Sequence, residues 1–125
     1  MREILFRGKR VDNGEWVYGD LNRYYANKGM FIAETQSTYA MHTISEETIG
    51  QYTGLTDKNG TKIFEGDIVK DYYGRVEKCF YNEARKRLMF EGINYTRDFE
   101  FASESEYEVI GNIHDNPELL KEREG

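Results

Sequence analysis

The sequence predicts an all-β protein made of two small β subdomains, with a short helical turn at the C-terminus. Three observations support this fold class. Short runs of β-branched and aromatic residues recur along the chain, Gly- and Asn-containing turns separate them, and helical periodicity is nearly absent. The chain has 125 residues, 14% of them aromatic, which suffices for a core without a disulfide or a metal. We predict a β-meander over residues 1–50 and a small β-barrel over residues 51–125.

The first subdomain begins with a predicted hairpin. Asn13-Gly14 lies between two extended runs and favours a two-residue turn. After this turn, alternation predicts that Trp16, Tyr18 and Asp20 share one face of a strand, opposite Val17, Gly19 and Leu21. The run "GMFIAET" predicts a further strand. In "HTISEETIG", Ser45 is a candidate cap for a short helical turn, and an extended loop is the alternative.

A glycine-rich block, "GQYTGLTDKNGTKIFEGDIV", begins the second subdomain. Asp57, Asn59 and Gly60 form a strong turn signal, because Asp accepts local backbone hydrogen bonds and Asn-Gly adopts left-handed conformations. Gly66 indicates a bulge or a close backbone approach. The glycine spacing matches neither of the common phosphate-binding motifs, so this block is predicted to be a structural turn between two strands.

The rest of the chain continues as short strands. Runs around "DIVKDYY", "VEKCFY", "LMF", "RDFEFA" and "YEVIGNI" amount to five strands over about fifty residues, which indicates a barrel of the SH3-like kind. Asn116 is a candidate cap and Pro117 fits the first position of the predicted C-terminal helical turn. Leu119 and Leu120 are expected to dock that turn on the barrel.

Charge and cysteine content limit the possible partners and the compartment. The net charge is −6, and residues 91–125 hold 3 basic against 10 acidic side chains, which disfavours non-specific binding to duplex nucleic acid. Cys79 is the single cysteine and is predicted to be a buried strand residue. With a single cysteine and no apolar run long enough for a signal peptide or a membrane span, we expect a protein of a reducing cytoplasm.

No catalytic or metal-binding residues are predicted. A zinc site would need His42, His114 and Cys79 from distant segments, and no cofactor motif is present. The carboxylates Glu65, Asp67 and Asp71 lie close together in sequence, which is compatible with acid–base chemistry. An exposed, solvated strand edge has the same pattern and is the preferred interpretation.

Three stretches resemble the YopX family of small bacteriophage and prophage proteins: "REILFRGKRVDNGEWVYGDL", "IGQYTGLTDKNGTKIFEGDIV" and "YEVIGNIHDNPELL". The resemblance covers nearly the whole chain. It implies an all-β protein with two subdomains, located in the bacterial cytoplasm during infection or lysogeny and capable of self-association. It implies no catalytic site, and therefore no functional residue to carry over.

Two classes of function remain. In the first, the protein is a non-enzymatic module that binds itself, a host protein or a phage protein through exposed tyrosines, since tyrosine is enriched at interfaces. In the second, it binds single-stranded nucleic acid by stacking bases on those aromatics beside a basic hairpin. A ribonuclease-like barrel is a third and weaker alternative. The candidate binding residues are Tyr24, Tyr25, Tyr52, Tyr72, Tyr73, Arg85, Lys86 and Arg87.

Overall fold

A computed structural model of the protein describes residues 3–23, 29–34, 40–98 and 107–121. It confirms the all-β class: the described chain forms antiparallel sheets with two short 3₁₀ turns, at Glu46–Thr48 and Pro117–Leu120. The strands are β1 (Phe6–Lys9), β2 (Trp16–Arg23), β3 (Met30–Ala33), β4 (Met41–Ile44), β5 (Gly50–Thr56), β6 (Lys62–Phe64), β7 (Asp67–Lys70), β8 (Val76–Asn82), β9 (Arg87–Gly92), β10 (Tyr95–Asp98) and β11 (Glu108–Asn112).

The chain divides into two compact units, Met1–Tyr52 and Thr53–Gly125. The division falls inside β5, as does the boundary after residue 50 that the sequence suggested. In the first unit the strand order is β4-β3-β2-β1-β5, and in the second unit a five-stranded sheet has the order β10-β9-β8-β7-β11. In both, four successive strands form a meander and a fifth returns beside the first. No sheet in the described part of the chain is closed, so the SH3-like barrel is not confirmed.

The first unit has an aliphatic core. Val17, Ile32 and Ile44 are buried and pack together. The alternation predicted for β2 is confirmed, because Val17 and Gly19 are buried while Tyr18 and Asp20 are exposed. Gly19 is required here by a close approach: a Cβ atom at this position would lie 2.1 Å from the backbone oxygen of Ala33 on β3.

The hairpin between β1 and β2 differs from the predicted two-residue turn. Residues 11–14 form a four-residue loop, closed by the Arg10 N–H donating to the Glu15 carbonyl at 2.9 Å. Gly14 has a φ of +73°, and the Asn13 side chain accepts a hydrogen bond from the Glu15 N–H. The Asn-Gly signal therefore located the turn correctly and gave its length wrongly, because the pairing of the two strands ends at Arg10 and Glu15 and not directly beside Asn13-Gly14.

Two predicted helix caps are also wrong in detail. Ser45 and Asn116 precede the two 3₁₀ turns, but neither side chain makes a capping hydrogen bond. The Ser45 carbonyl accepts hydrogen bonds from Thr48 instead, and the Asn116 side chain accepts one from the Asn112 N–H.

The second unit has an aromatic core between its strands. Ile63, Val69, Cys79, Phe90 and Tyr107 are fully buried and pack together, with the Phe90 and Tyr107 rings stacked at 4.7 Å between centroids. The burial of Cys79 predicted from the sequence is confirmed. In the described residues, no helix is long and apolar enough to cross a membrane.

Asp57 connects the β5–β6 turn to β11. One carboxylate oxygen accepts hydrogen bonds from the Asn59 and Thr61 N–H groups, and the other accepts one from Val109, all between 2.8 and 2.9 Å. Gly60 completes this turn with a φ of +82°. The predicted structural turn is therefore confirmed, and it is also a link to a distant strand that the sequence did not indicate.

Two buried aspartates contribute to stability in a pH-dependent way. Burial raises the pKa of Asp57 and of Asp71, but the hydrogen bonds that each carboxylate accepts outweigh burial and hold both pKa values below the ordinary value. A lowered pKa means that the ionised carboxylate is stabilised by folding. That stability is fully present above the unfolded pKa of about 3.9 and is lost as the pH falls through the lower folded value.

We therefore expect the free energy of unfolding to decrease below about pH 4, with no loss from these two groups between pH 5 and 7. Urea unfolding at a series of pH values measures this dependence. Asp57→Asn should be less stable at pH 7 by about 1–3 kcal/mol, because its amide nitrogen cannot accept the Val109 hydrogen bond, and its acid sensitivity should be weaker. Asp20→Asn, at an exposed position, serves as control. If the stability of Asp57→Asn depended on pH as that of wild type does, the contribution assigned to the Asp57 carboxylate would be contradicted.

Candidate functional site

Among the described residues, the most exposed aromatic side chains lie on the turn between β7 and β8. Tyr72 and Tyr73 are 80% and 78% exposed. Beneath them, the buried Asp71 carboxylate accepts hydrogen bonds from the Tyr73 N–H at 2.9 Å and the Arg75 N–H at 2.8 Å. Its second oxygen accepts one from Arg75 Nε at 2.5 Å. The turn is therefore held from below while both tyrosines face solvent.

The two tyrosine rings are ordered relative to one another. They meet edge to face with centroids 5.3 Å apart, and the Arg75 guanidinium lies 5.4 Å from the Tyr73 ring centroid. These contacts restrict the rings without covering them. An exposed aromatic pair that is already positioned loses less conformational entropy on binding than a flexible one. We call Tyr72, Tyr73 and the turn that carries them the tyrosine turn.

A groove of about 280 Å³ lies beside the tyrosine turn. The end of that turn contributes part of the lining, and the C-terminal 3₁₀ turn contributes another part. Ile93 and Tyr95, both partly exposed, come from the β9–β10 hairpin. The lining residues are Gly74, Arg75, Val76, Ile93, Tyr95, Leu119, Leu120 and Lys121. Apolar side chains thus meet two cationic ones at a concave surface.

A buried ion pair supports the groove from within the second unit. Glu77 on β8 is 0% exposed, and its carboxylate accepts hydrogen bonds from Arg97 Nη2 at 2.9 Å and Nε at 3.1 Å. The Tyr95 hydroxyl also donates to Glu77, and Arg97 donates to the Tyr107 hydroxyl. Burial and the Glu77 carboxylate raise the pKa of Tyr95 to about 12.

Gly92 makes this arrangement possible. It lies on β9 between β8 and β10, directly opposite Tyr95. A Cβ atom at Gly92 would lie 2.5 Å from the Tyr95 ring. Because glycine has no side chain there, the ring crosses β9 and its hydroxyl reaches Glu77.

The buried carboxylates of this cluster are compensated by cations. Each buried carboxylate of this cluster is paired with an arginine, Asp71 with Arg75 and Glu77 with Arg97. Glu77 has no exposed surface with which to contact a substrate. Asp67, predicted to lie on a solvated edge with Glu65 and Asp71, is also buried, and it accepts a hydrogen bond from the Phe64 N–H. The solvated edge is therefore wrong for Asp67 and Asp71: they close turns.

Comparison with known proteins agrees with this fold. The family model described as YopX protein matches residues 5–121. The chain belongs to the YopX family. The crystal structure of protein EF1440 from Enterococcus faecalis is similar to this YopX-family chain, with a TM-score of 0.59 and 25% sequence identity, over 97% of this chain and 100% of that one. No match was found among curated proteins.

The structure separates the binding residues predicted for this YopX-family protein. Tyr72 and Tyr73 lie at one end of β8, and Arg85, Lys86 and Arg87 lie at the other, in and after the turn that leads to β9. Seven residues of β8 separate the two groups, which is roughly 20 Å at about 3.3 Å per residue. The aromatics and the basic hairpin thus form two surfaces.

Tyr52, another of the predicted tyrosines, does not join the tyrosine turn. Tyr52 is only 8% exposed, which contradicts its predicted place on a binding surface. Tyr24 and Tyr25 lie outside the described residues. The prediction had relied on tyrosine number, and number does not distinguish a buried ring from an exposed one.

Sequence reasoning missed the groove residues Ile93 and Tyr95. A signal was available in "EGINY", where glycine and asparagine mark a hairpin and Asn94 adopts a φ of +74°.

The structure does not assemble the zinc ligands that the sequence offered. His42 lies 3.5 Å from Glu34. In the described ranges, no group of three or more His, Cys, Asp and Glu side chains is placed to hold a metal ion.

Proposed function

We propose that this YopX-family protein is a non-enzymatic binding module that associates with other proteins, including copies of itself, through the tyrosine turn and the adjacent groove. The proposed setting, a phage or prophage accessory role in the bacterial cytoplasm, rests on the family resemblance. The observation that carries the proposal is the pair of highly exposed, pre-positioned rings of Tyr72 and Tyr73 beside an apolar groove. Interfaces commonly depend on a few such aromatic anchors.

A second candidate function has its own observation. Arg85 and Lys86 are exposed on the β8–β9 turn, and Tyr81 is exposed on the adjoining end of β8. A basic turn with a neighbouring aromatic ring is suited to backbone contact and base stacking with single-stranded nucleic acid. The acidic net charge of −6 weakens this alternative.

One capture experiment distinguishes the two candidates. The tagged protein serves as bait in a lysate of bacteria that also express the untagged chain, with and without nuclease. We expect stoichiometric protein recovery that survives nuclease. In Tyr72→Ala/Tyr73→Ala, the affinity for the partner should fall by at least about 30-fold, since an anchor residue contributes about 2 kcal/mol or more. The recovered amount of partner should fall with it.

Arg85→Ala/Lys86→Ala and Tyr81→Ala are the matched controls, because they remove exposed side chains from the opposite end of β8. Equal recovery with wild type and the Tyr72/Tyr73 variant would contradict the proposed surface. Recovery that disappears with nuclease and in Arg85→Ala/Lys86→Ala would establish nucleic-acid binding instead.

A further inference from the structure

Two Asn-Gly pairs lie in exposed turns, Asn13-Gly14 between β1 and β2 and Asn59-Gly60 between β5 and β6. An asparagine followed by glycine is chemically reactive, because glycine has no Cβ atom to shield its backbone nitrogen from the preceding side chain. That nitrogen can attack the asparagine Cγ atom and displace ammonia. Both pairs share this intrinsic reactivity, so the folded surroundings decide which of them reacts first.

The first pair is held by two hydrogen bonds. The Asn13 Oδ1 atom accepts one from the Glu15 N–H at 2.9 Å, which fixes the side-chain carbonyl. The Gly14 N–H donates the other to the Arg10 carbonyl, also at 2.9 Å, which holds the attacking nitrogen. Both hydrogen bonds must open before the Gly14 nitrogen can reach the Asn13 side chain.

The second pair is held by one hydrogen bond fewer. Asn59 is exposed, and within the described part of the chain its side chain makes no hydrogen bond or ion pair. The Gly60 N–H donates to the Asp57 carbonyl at 3.0 Å, so only this hydrogen bond opposes the attack on the Asn59 side chain. One hydrogen bond fewer makes the required opening about fivefold more frequent than at Asn13.

Reaction at Asn59 would alter the turn that holds β11. One Asp57 carboxylate oxygen accepts hydrogen bonds from the Asn59 and Thr61 N–H groups, and the other accepts one from the Val109 N–H. An isoaspartate at position 59 inserts one more carbon atom into the main chain between those first two N–H groups. Because the carboxylate is rigid, it cannot keep both of them and the Val109 N–H at hydrogen-bond distance.

We propose that Asn59 is a self-modification site, which converts to aspartate and isoaspartate without an enzyme and thereby loosens the link from Asp57 to β11. The Gly60 nitrogen forms a bond to Asn59 Cγ, the Cγ–Nδ2 bond breaks, and ammonia leaves with the Gly60 amide proton. Water then opens the cyclic imide. Attack at Cγ gives aspartate, and attack at the backbone carbonyl carbon gives isoaspartate. No oxidant, reductant or other co-reactant is needed.

The two asparagines provide an internal comparison in one chain. The purified protein is incubated at mildly alkaline pH, and peptide mass spectrometry follows the amide-to-acid conversion at each position. We expect conversion at Asn59 to be about fivefold faster than at Asn13. In urea both turns are open, so the two rates should agree within about twofold. Equal rates in the folded protein, or a faster reaction at Asn13, would overturn the proposal.

The loosened link is tested on the product itself. Conversion makes the net charge one unit more negative, so anion exchange separates the converted protein, and hydrogen exchange then reports on the Val109 N–H. Its exchange should be about fivefold faster in the isoaspartate form than in fresh protein, because the Asp57 hydrogen bond is lost. Unchanged exchange at Val109 would overturn the loss of the link.

Asn59→Ser is the matched control, because it keeps the backbone N–H groups of the turn and has no amide to convert. After the same incubation, its Val109 exchange and its urea midpoint should equal those of the fresh variant, while the wild-type midpoint falls. An equal fall in Asn59→Ser would assign the change to another position and overturn the proposal. These outcomes do not depend on the tyrosine turn, so the proposed function is decided separately by the capture experiment.

Discussion

Replacing Arg97 with alanine is expected to lower the free energy of unfolding by about 3–5 kcal/mol, because it leaves the Glu77 carboxylate buried without its cation. Glu77 is closed to solvent in the folded chain, so its carboxylate depends on the hydrogen bonds that Arg97 and Tyr95 donate, and Arg97 donates two of them. The substitution also removes the donor to the Tyr107 hydroxyl in the core. Urea unfolding followed by circular dichroism measures the loss.

Two variants make this prediction specific to the buried pair. Lys78→Ala removes a cation from a partly exposed pair with Glu91 on the same sheet, and its effect should stay within about 1 kcal/mol. Glu77→Gln/Arg97→Met removes both charges and should be more stable than Arg97→Ala, since no unpaired ion remains. If Arg97→Ala and Lys78→Ala were equally stable, the buried Glu77 carboxylate would not depend on the charge of Arg97.

Gly19→Ala is expected to destabilise the first unit by about 3 kcal/mol, the upper end of what overpacking usually costs. The added Cβ atom would lie 2.1 Å from the Ala33 backbone oxygen and 2.9 Å from the Ala33 carbonyl carbon. A side chain could rotate away, but these atoms belong to β3, so the whole pairing of β2 with β3 must shift. Thermal unfolding monitored by circular dichroism gives the change in stability.

Gly14→Ala is the matched control for this prediction. Nothing lies within 4 Å of a Cβ atom at Gly14, and its only penalty is a φ of +73°, which costs about 1–2 kcal/mol for an L-residue. If Gly19→Ala were no more destabilising than Gly14→Ala, the close approach of β2 and β3 would be contradicted.

Most of the fold prediction depends on sequence patterns between neighbouring residues. Alternation in β2 identified the buried side of the strand, and the turn signal at Asp57 to Gly60 located a hairpin, because both depend on neighbouring residues in sequence. The link from Asp57 to Val109 could not be found in this way. It joins positions that are far apart in the chain, and a single sequence carries no record of such a pairing.

The candidate site also depends on contacts that sequence patterns do not show. Tyr72 and Tyr73 were selected as part of a large set of tyrosines, and only the structure distinguishes them from the buried Tyr52. The carboxylates near them were expected on a solvated edge. Asp71 is instead buried, because backbone N–H groups and Arg75 compensate for its charge. Whether a charged residue is exposed or buried depends on the hydrogen-bond and ion-pair partners that the fold places next to it.

The strand order has a consequence for how the chain folds. In both units the last strand returns beside the first, so Phe6 must find Gln51 and Val69 must find Val109. Contacts between such distant positions require loop closure before they contribute any stability, and proteins rich in them fold slowly. The local hairpins can form early, while the pairings of β5 with β1 and of β11 with β7 come last. In each unit, the folding rate is therefore set by the pairing of one strand with a strand that is distant in sequence.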